Sequence, residues 1–405
     1  MKFRFCVAAV ILLAAAAFAQ GPKPGSVSFR GKTYEPAQLP ADVGAAAKAA
    51  VATWAPWAKT RGYRLDLDPS RRVLLLSSHS NVDAPLSLIN KTGALFDSLL
   101  PAAVSPAGPV TPAVSAPSAK KAAPVPADDW IPEDPESPPP GAPKTLPPDR
   151  ETLAPLERTA GAFEADSKTA VMLIAKNSAD YGSALELLAS LYPYLAEWRA
   201  GVVAQIGFAL GDPLVGAYNE NSPGQEEWNP DNELVHRTMA LLLMRRTQHQ
   251  PYWLQTGLCW HAEMTIAKSI YCMPFREGFV AIGEHGGWLA ALNSIYSGRA
   301  KQPLRVAEFN LQRGRWEDKL AKTALGVVDY MSRTNPRVLG SLMEELRRFA
   351  DQNSRVTAAD GSWTSVKDYQ VPEEQQKLFL ERYYGATVLE DMIVAWTTGT
   401  PAPGK

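Results

Sequence analysis

The sequence predicts an α+β protein: a small α/β unit at the N-terminus, followed by a mostly helical C-terminal domain with a small sheet upstream of its helices. Three observations carry this reading. Short apolar runs suited to buried strands stand at 73–76 and 169–176, helical periodicity dominates the chain beyond about residue 211, and a proline-rich stretch separates the two regions. With 405 residues the chain is long enough for one large or two ordinary domains with real cores.

Taken in order, MKFRFCVAAVILLAAAAFAQ sets Lys2 and Arg4 before an apolar run that ends in Ala17-Phe18-Ala19, a small-x-small cleavage pattern ahead of Gln20. It reads as a secretory signal peptide over 1–19, cut near Ala19, which predicts a periplasmic or secreted protein. The run is too short for a transmembrane helix, and no later segment approaches the roughly 18 consecutive apolar residues a span needs. Cys6 lies inside the run and not at its cleavage end, so a lipid-anchored cysteine is not expected.

The α/β unit occupies 20–100. ADVGAAAKAAVATWAPWAKTRG reads as a helix, the run at 73–76 as a strand, and VDAPLSLINKTGALFDSLL as a second helix. From 101 to 148 the chain is Pro, Ala, Ser and Lys, with 15 of its 34 prolines. Such a composition cannot bury enough surface to offset the entropy of ordering, so it reads as an extended linker or insertion. A proline-rich ligand for a partner is a second reading, and Trp130-Ile131-Pro132 its one bulky apolar cluster.

The remaining domain spans 149–400. TAVMLIAK reads as a buried strand, SALELLASLYPYLAEW as helix and GVVAQIGFALG as strand-like, with nearly everything after it helical. Helix ends are well marked. Asn229 is a natural N-cap, Pro230 suits the first helical position, Asp231 and Glu233 fall in the first turn, and Arg245 and Arg246 near the end, which predicts a helix over 230–246. Pro251, Pro336 and Pro372 stand at helix starts, and Thr387-Val388-Leu389-Glu390 has the capping-box pattern.

A formal net charge of −1 gives no basis for a nucleic-acid or anionic-lipid surface. After signal cleavage only Cys259 and Cys272 remain, too few for a disulfide scaffold. On one continuous helix their sulfurs would stand about 20 Å apart, so they could pair only if that helix breaks.

The chemistry concentrates in Asn232-Glu233-Leu234-Val235-His236. Residues four apart on a helix project from one face, the geometry by which two histidines grip a zinc ion, and the glutamate between them would take a proton from metal-bound water. Here Glu233 and His236 are present and Asn232 fills the first ligand position; an amide oxygen is a poor zinc ligand. About twenty residues on stands Pro251-Tyr252-Trp253-Leu254-Gln255-Thr256-Gly257-Leu258-Cys259. Together the two segments resemble gluzincin-type metallopeptidases, and more closely the secreted bacterial peptidase-MA-like proteins, in which a Trp-Leu-x-Glu-Gly-Leu-Ala pattern supplies the third ligand. The resemblance covers roughly 169–398 and implies a gluzincin-like fold. It also puts Thr256 at the third ligand position, leaving a degenerate set of Asn232, His236 and Thr256 with Glu233 as a vestigial general base.

Cys259, one turn beyond Thr256, is a candidate substitute ligand, although buried cysteine is also ordinary core. Gln255 points away from the site. Glu263, two turns from Thr256, reads as too distant to replace it, and His261 as facing elsewhere. His79 and His249 read as surface or loop residues, and His285, in a Gly-rich connection, as solvated or lining the cleft. For His236 a hydrogen-bonded core histidine competes with metal ligation. Glu233 on an inner helix face must be paired or solvated, which predicts an open cleft.

These readings predict a secreted, catalytically inactive metallopeptidase homologue that binds a peptide or protein partner or serves in the cell envelope, with no cofactor. The alternative is an active metal-dependent hydrolase that holds zinc with non-standard ligands and uses Glu233 as base. A third reading makes the C-terminal domain a platform for the N-terminal unit. In limited proteolysis of the mature chain, the first cuts are expected within 101–148 with both flanks resisting; a stretch protected until global unfolding would contradict the linker reading.

Overall fold

The computed structural model describes residues 23–70, 72–100, 168–221, 229–248, 250–273, 278–279, 286–298, 302–311, 317–357, 363–365 and 369–398. The expected signal peptide and the proline-rich stretch, with Trp130, lie outside them, as do His249 and His285.

The protein is of the α+β class, built on one mixed seven-stranded sheet. In chain order its strands are β1 (Val27–Phe29), β2 (Lys32–Tyr34), β3 (Arg64–Leu67), β4 (Val73–Ser77), β5 (Ala170–Ala175), β6 (Gly207–Gly211) and β7 (Leu214–Asn219). They lie side by side as β2-β1-β3-β4-β5-β7-β6. The central trio β4, β5 and β7 is parallel, with Leu75 opposite Met172 and Met172 opposite Gly216. A strand covered on both faces is expected to be apolar throughout, and β5 is buried at all six positions.

Alternation along the strands sorts these side chains into two cores. Leu74, Leu76, Val171, Leu173 and Ala217 pack with α1 (Ala45–Arg61), α3 (Ser178–Leu191) and α4 (Ala196–Val202). Leu75, Met172, Ile174 and Tyr218 face α2 (Asp83–Leu99) and α5 (Pro230–Thr247). Beyond α5 come α6 (Tyr252–Ile266), α7 (Trp288–Tyr296), α8 (Asp318–Thr334), α9 (Pro336–Asn353), α10 (Glu373–Tyr384) and α11 (Val388–Thr398). Two short hairpins complete the chain: β8 (Cys272–Met273) with β9 (Gly278–Phe279), and β10 (Arg355–Thr357) with β11 (Trp363–Ser365).

Several expectations change. Because β4 pairs directly with β5, the region 20–100 and the region after residue 168 share one sheet, so a boundary drawn on composition does not divide the fold. In GVVAQIGFALG the first residues finish α4, and the strand begins only at Gly207. The chain beyond 211 is not all helix: β7 lies inside the main sheet, where Gly216 brings α5 close, a Cβ there meeting Leu241 Cδ1 at 3.1 Å and Met172 Sδ at 3.3 Å. At the start of α11 the Thr387 hydroxyl donates to the Asp391 carboxylate at 2.9 Å, in place of the expected capping box with Glu390.

Helix α6 is fixed at its start and near its middle by indole N–H groups. Trp253 Nε1 donates to Gln376 Oε1 of α10 at 2.6 Å, and Trp260 Nε1 donates to the Cys272 carbonyl at 2.7 Å. Between them Gly257 lets α8 approach: a Cβ would come within 2.8 Å of Val328 Cγ2 and 3.2 Å of the Ala324 carbonyl. Gly257→Val is expected to lower unfolding free energy by about 1–3 kcal/mol through overpacking. Gly182→Ala, in α3 with nothing within 4 Å of the new Cβ, is expected to raise it by up to about 1 kcal/mol. Urea denaturation of the two variants reads both signs, and a neutral Gly257→Val would contradict the close packing of α6 on α8.

Candidate functional site

The site forms where the N-terminal half of α5 meets the end of α6. Asn229 caps α5, its Oδ1 accepting the Asp231 N–H at 3.0 Å, and Pro230 occupies the first turn, as the sequence predicts. A cap of this kind contributes about 1 kcal/mol and fixes where the helix starts, hence which residues face inward. The helix is buried nearly all round because it lies between the sheet and the outer helices. Asn232 and Glu233 are therefore fully buried and His236 is only 5% exposed.

At the other wall α6 ends at Ile266, and Lys268, in the left-handed region at φ 64°, turns the chain back over the helix end. That reversal brings the segment 269–272 onto Glu263. Four donors converge on its carboxylate: Asn232 Nδ2 at 2.7 Å, the Tyr271 and Cys272 N–H groups at 2.9 and 3.3 Å on Oε2, and His236 Nδ1 at 2.7 Å on Oε1. Asn232 Nδ2 also donates to the Ser269 carbonyl at 2.7 Å. Turning that amide over would set its oxygen against two acceptors, so the network itself fixes the orientation. The carboxylate likewise assigns a proton to His236 Nδ1.

Glu233 and Arg237 make a second buried pair, one turn apart, with Arg237 Nε donating to Glu233 Oε2 at 2.9 Å. Burial alone would lower the Arg237 pKa, and the neighbouring Glu233 carboxylate outweighs it, so the net shift is upward. Cys272 lies against the same carboxylate: burial pushes its thiol well up, and the charges of Glu233 and Glu263 push it further. Tyr218 of β7 is raised in the same way, by burial first and then by the acids around it, including Glu233.

Set against the sequence, the structure brings together Asn232, His236 and Glu233 with three residues not expected there: Glu263, Arg237 and Cys272. Glu263 is the direct partner of both Asn232 and His236, so the judgement that it lies too far from the site is overturned. Distance was reckoned from Thr256, but α5 crosses α6 at Glu263, leaving Thr256 seven positions and about 10 Å back along the helix. Cys259, one turn before Glu263, is a free buried thiol whose pKa burial pushes up. The one group of candidate metal-binding side chains among the described residues is His236, Glu263 and Cys272, and Cys259 is not part of it.

No single helix carries both cysteines, since α6 ends at Ile266, and both thiols are free. Glu233 is paired through Oε2 with Arg237 and not solvated in an open cleft, since its side chain is fully buried. His261 sits 3.7 Å from Asp329, its pKa lowered by burial, and His79 Nε2 donates to the Glu220 carboxylate at 2.6 Å in a half-exposed position. Glu263 did have a signal in the sequence: an acid among Trp260, Ala262 and Ile266 is costly inside an apolar helix unless donors meet it.

The network makes a sharp comparison possible. Asn232→Ala removes one donor and is expected to cost about 1–3 kcal/mol, whereas Asn232→Asp sets a second carboxylate against Glu263 and the Ser269 carbonyl and is expected to cost about 3–5 kcal/mol at neutral pH. Denaturation in the presence of a chelator measures both; equal losses would contradict the donor role of Asn232. No protein-family model matches the chain and no curated protein matches it significantly, so these side chains carry the functional reading.

Proposed function

We propose that this is an exported protein with a metallopeptidase-like framework and no peptidase chemistry, which acts by binding a peptide or protein partner or as a component of the cell envelope. One observation carries the reading. Glu233, which a zinc peptidase needs within reach of a metal-bound water, is fully buried and ion-paired to Arg237 one turn away. Asn232 supports it further, since its amide N–H groups are committed to Glu263 and Ser269. The signal-like N-terminus supports export, and the absence among the described residues of any helix long and apolar enough to cross a membrane agrees with it.

The alternative, a hydrolase with Glu233 as base, requires that carboxylate to leave its guanidinium partner. Breaking a buried ion pair on one side costs about 3–5 kcal/mol, a large addition to any catalytic barrier. The test is hydrolysis of a broad set of fluorogenic peptides by the mature chain with zinc supplied. No turnover above buffer is expected, and Glu233→Gln is expected to lower stability, because Arg237 loses its counter-charge. Metal-dependent turnover abolished by Glu233→Gln would overturn the proposal.

A further inference from the structure

We propose that His236, Glu263 and Cys272 hold a zinc ion in a closed, structural site. The three side chains are buried, and each offers one ligand atom, all lying within 4.8 Å of one another. Imidazole, carboxylate and thiolate are the donors zinc takes, and bond lengths of about 2.0–2.3 Å place tetrahedral ligands roughly 3.3–3.8 Å apart. Zinc takes the place of the Nδ1 proton that His236 gives to Glu263, the 2.7 Å between those two atoms opening and the Cys272 thiol moving in, each by on the order of 1 Å. Two of the three ligands share a short segment: Glu263 stands in the last turn of α6, and Cys272 returns over it with its own N–H on the Glu263 carboxylate.

Two independent features point to a cation. The first is charge. Glu233, Glu263 and Arg237 leave one net negative charge in a region where none of the three side chains is more than 12% exposed. A dication together with an ionised Cys272 adds one positive charge and makes the cluster neutral. The second is a pair of buried oxygens short of partners: Asn232 Oδ1 has none, and Glu233 Oε1 has only the Cys272 thiol beside it. Asn232 touches Glu263, and Glu233 lies against Cys272. Leaving such atoms unsatisfied is costly, and a fourth zinc ligand drawn from them relieves one. A fourth protein ligand also closes the site to water, which makes the metal structural and not catalytic.

The proposal stands on these side chains and not on the peptidase resemblance, so peptide hydrolysis and zinc content are separate results. The experiment is elemental analysis of the untagged mature chain after incubation with zinc and dialysis, together with the spectrum of the cobalt-substituted protein. About one zinc per chain is expected in the wild type and in Cys259→Ser, with loss of at least nine-tenths of it in Cys272→Ser and His236→Gln. Cobalt is expected to show a thiolate charge-transfer band in the wild type and in Cys259→Ser but not in Cys272→Ser. A folded wild type without zinc would overturn the proposal, as would a cobalt protein without the thiolate band. The cobalt spectrum of the wild type decides the point even if a ligand variant fails to fold. The competing reading is a cluster that holds no cation. It predicts thermal unfolding indifferent to zinc and to chelator, and that result too would overturn the proposal.

Discussion

The carboxylate of Glu263 is the point on which this half of the molecule depends. It collects Asn232 and His236 from α5 and two backbone N–H groups from the turn after α6, so one side chain ties α5 to the end of α6 and to the turn that follows it. A buried carboxylate is tolerable only with donors on it, and the donors here are themselves fixed by helix geometry and by a left-handed residue at Lys268. The indole of Trp260 then holds the returning strand by its Cys272 carbonyl, and Trp288 stacks edge-on against that indole with centroids 5.1 Å apart. Polar satisfaction and apolar packing thus reinforce each other at the same corner.

Local features of the fold were legible where they depend on local chemistry. The start of α5 could be placed from Asn229, Pro230 and Asp231, because capping acts over a few residues, and the helix observed ends within one position of the expected 246. The buried strands β4 and β5 could be found from unbroken apolar runs. Strand β7 escaped because Gly216 and Asn219 have low strand propensity; its place is set by close packing under α5, which is a tertiary fact. The union of β4 with β5 in one sheet was hidden for a related reason: pairing between distant segments leaves no mark on either one.

The candidate site shows the same division. Spacing placed residues 232 and 236 on one face, and both do turn to a common partner. What spacing could not supply was the crossing point of α5 on α6, so the partner proved to be Glu263 at the end of the second helix and not Thr256 near its start. Arg237 was within reach of Glu233 by the same four-residue rule, but an arginine beside a suspected catalytic acid reads as a surface charge until burial is known. Cys272 joined the cluster only through the reversal at Lys268, which no propensity marks for a lysine.

The parallel pairing of Val73 with Ala170 also sets the order in which the protein can be completed. At ribosomal speeds of about 5–20 residues per second, the stretch between the two strands takes on the order of 5–20 s to synthesise. During that interval β1 to β4 have their edge open, and the edge strand is Val73–Ser77, apolar on both of its faces. An unpaired apolar edge is a surface on which chains aggregate, and β5 is the strand that covers this one.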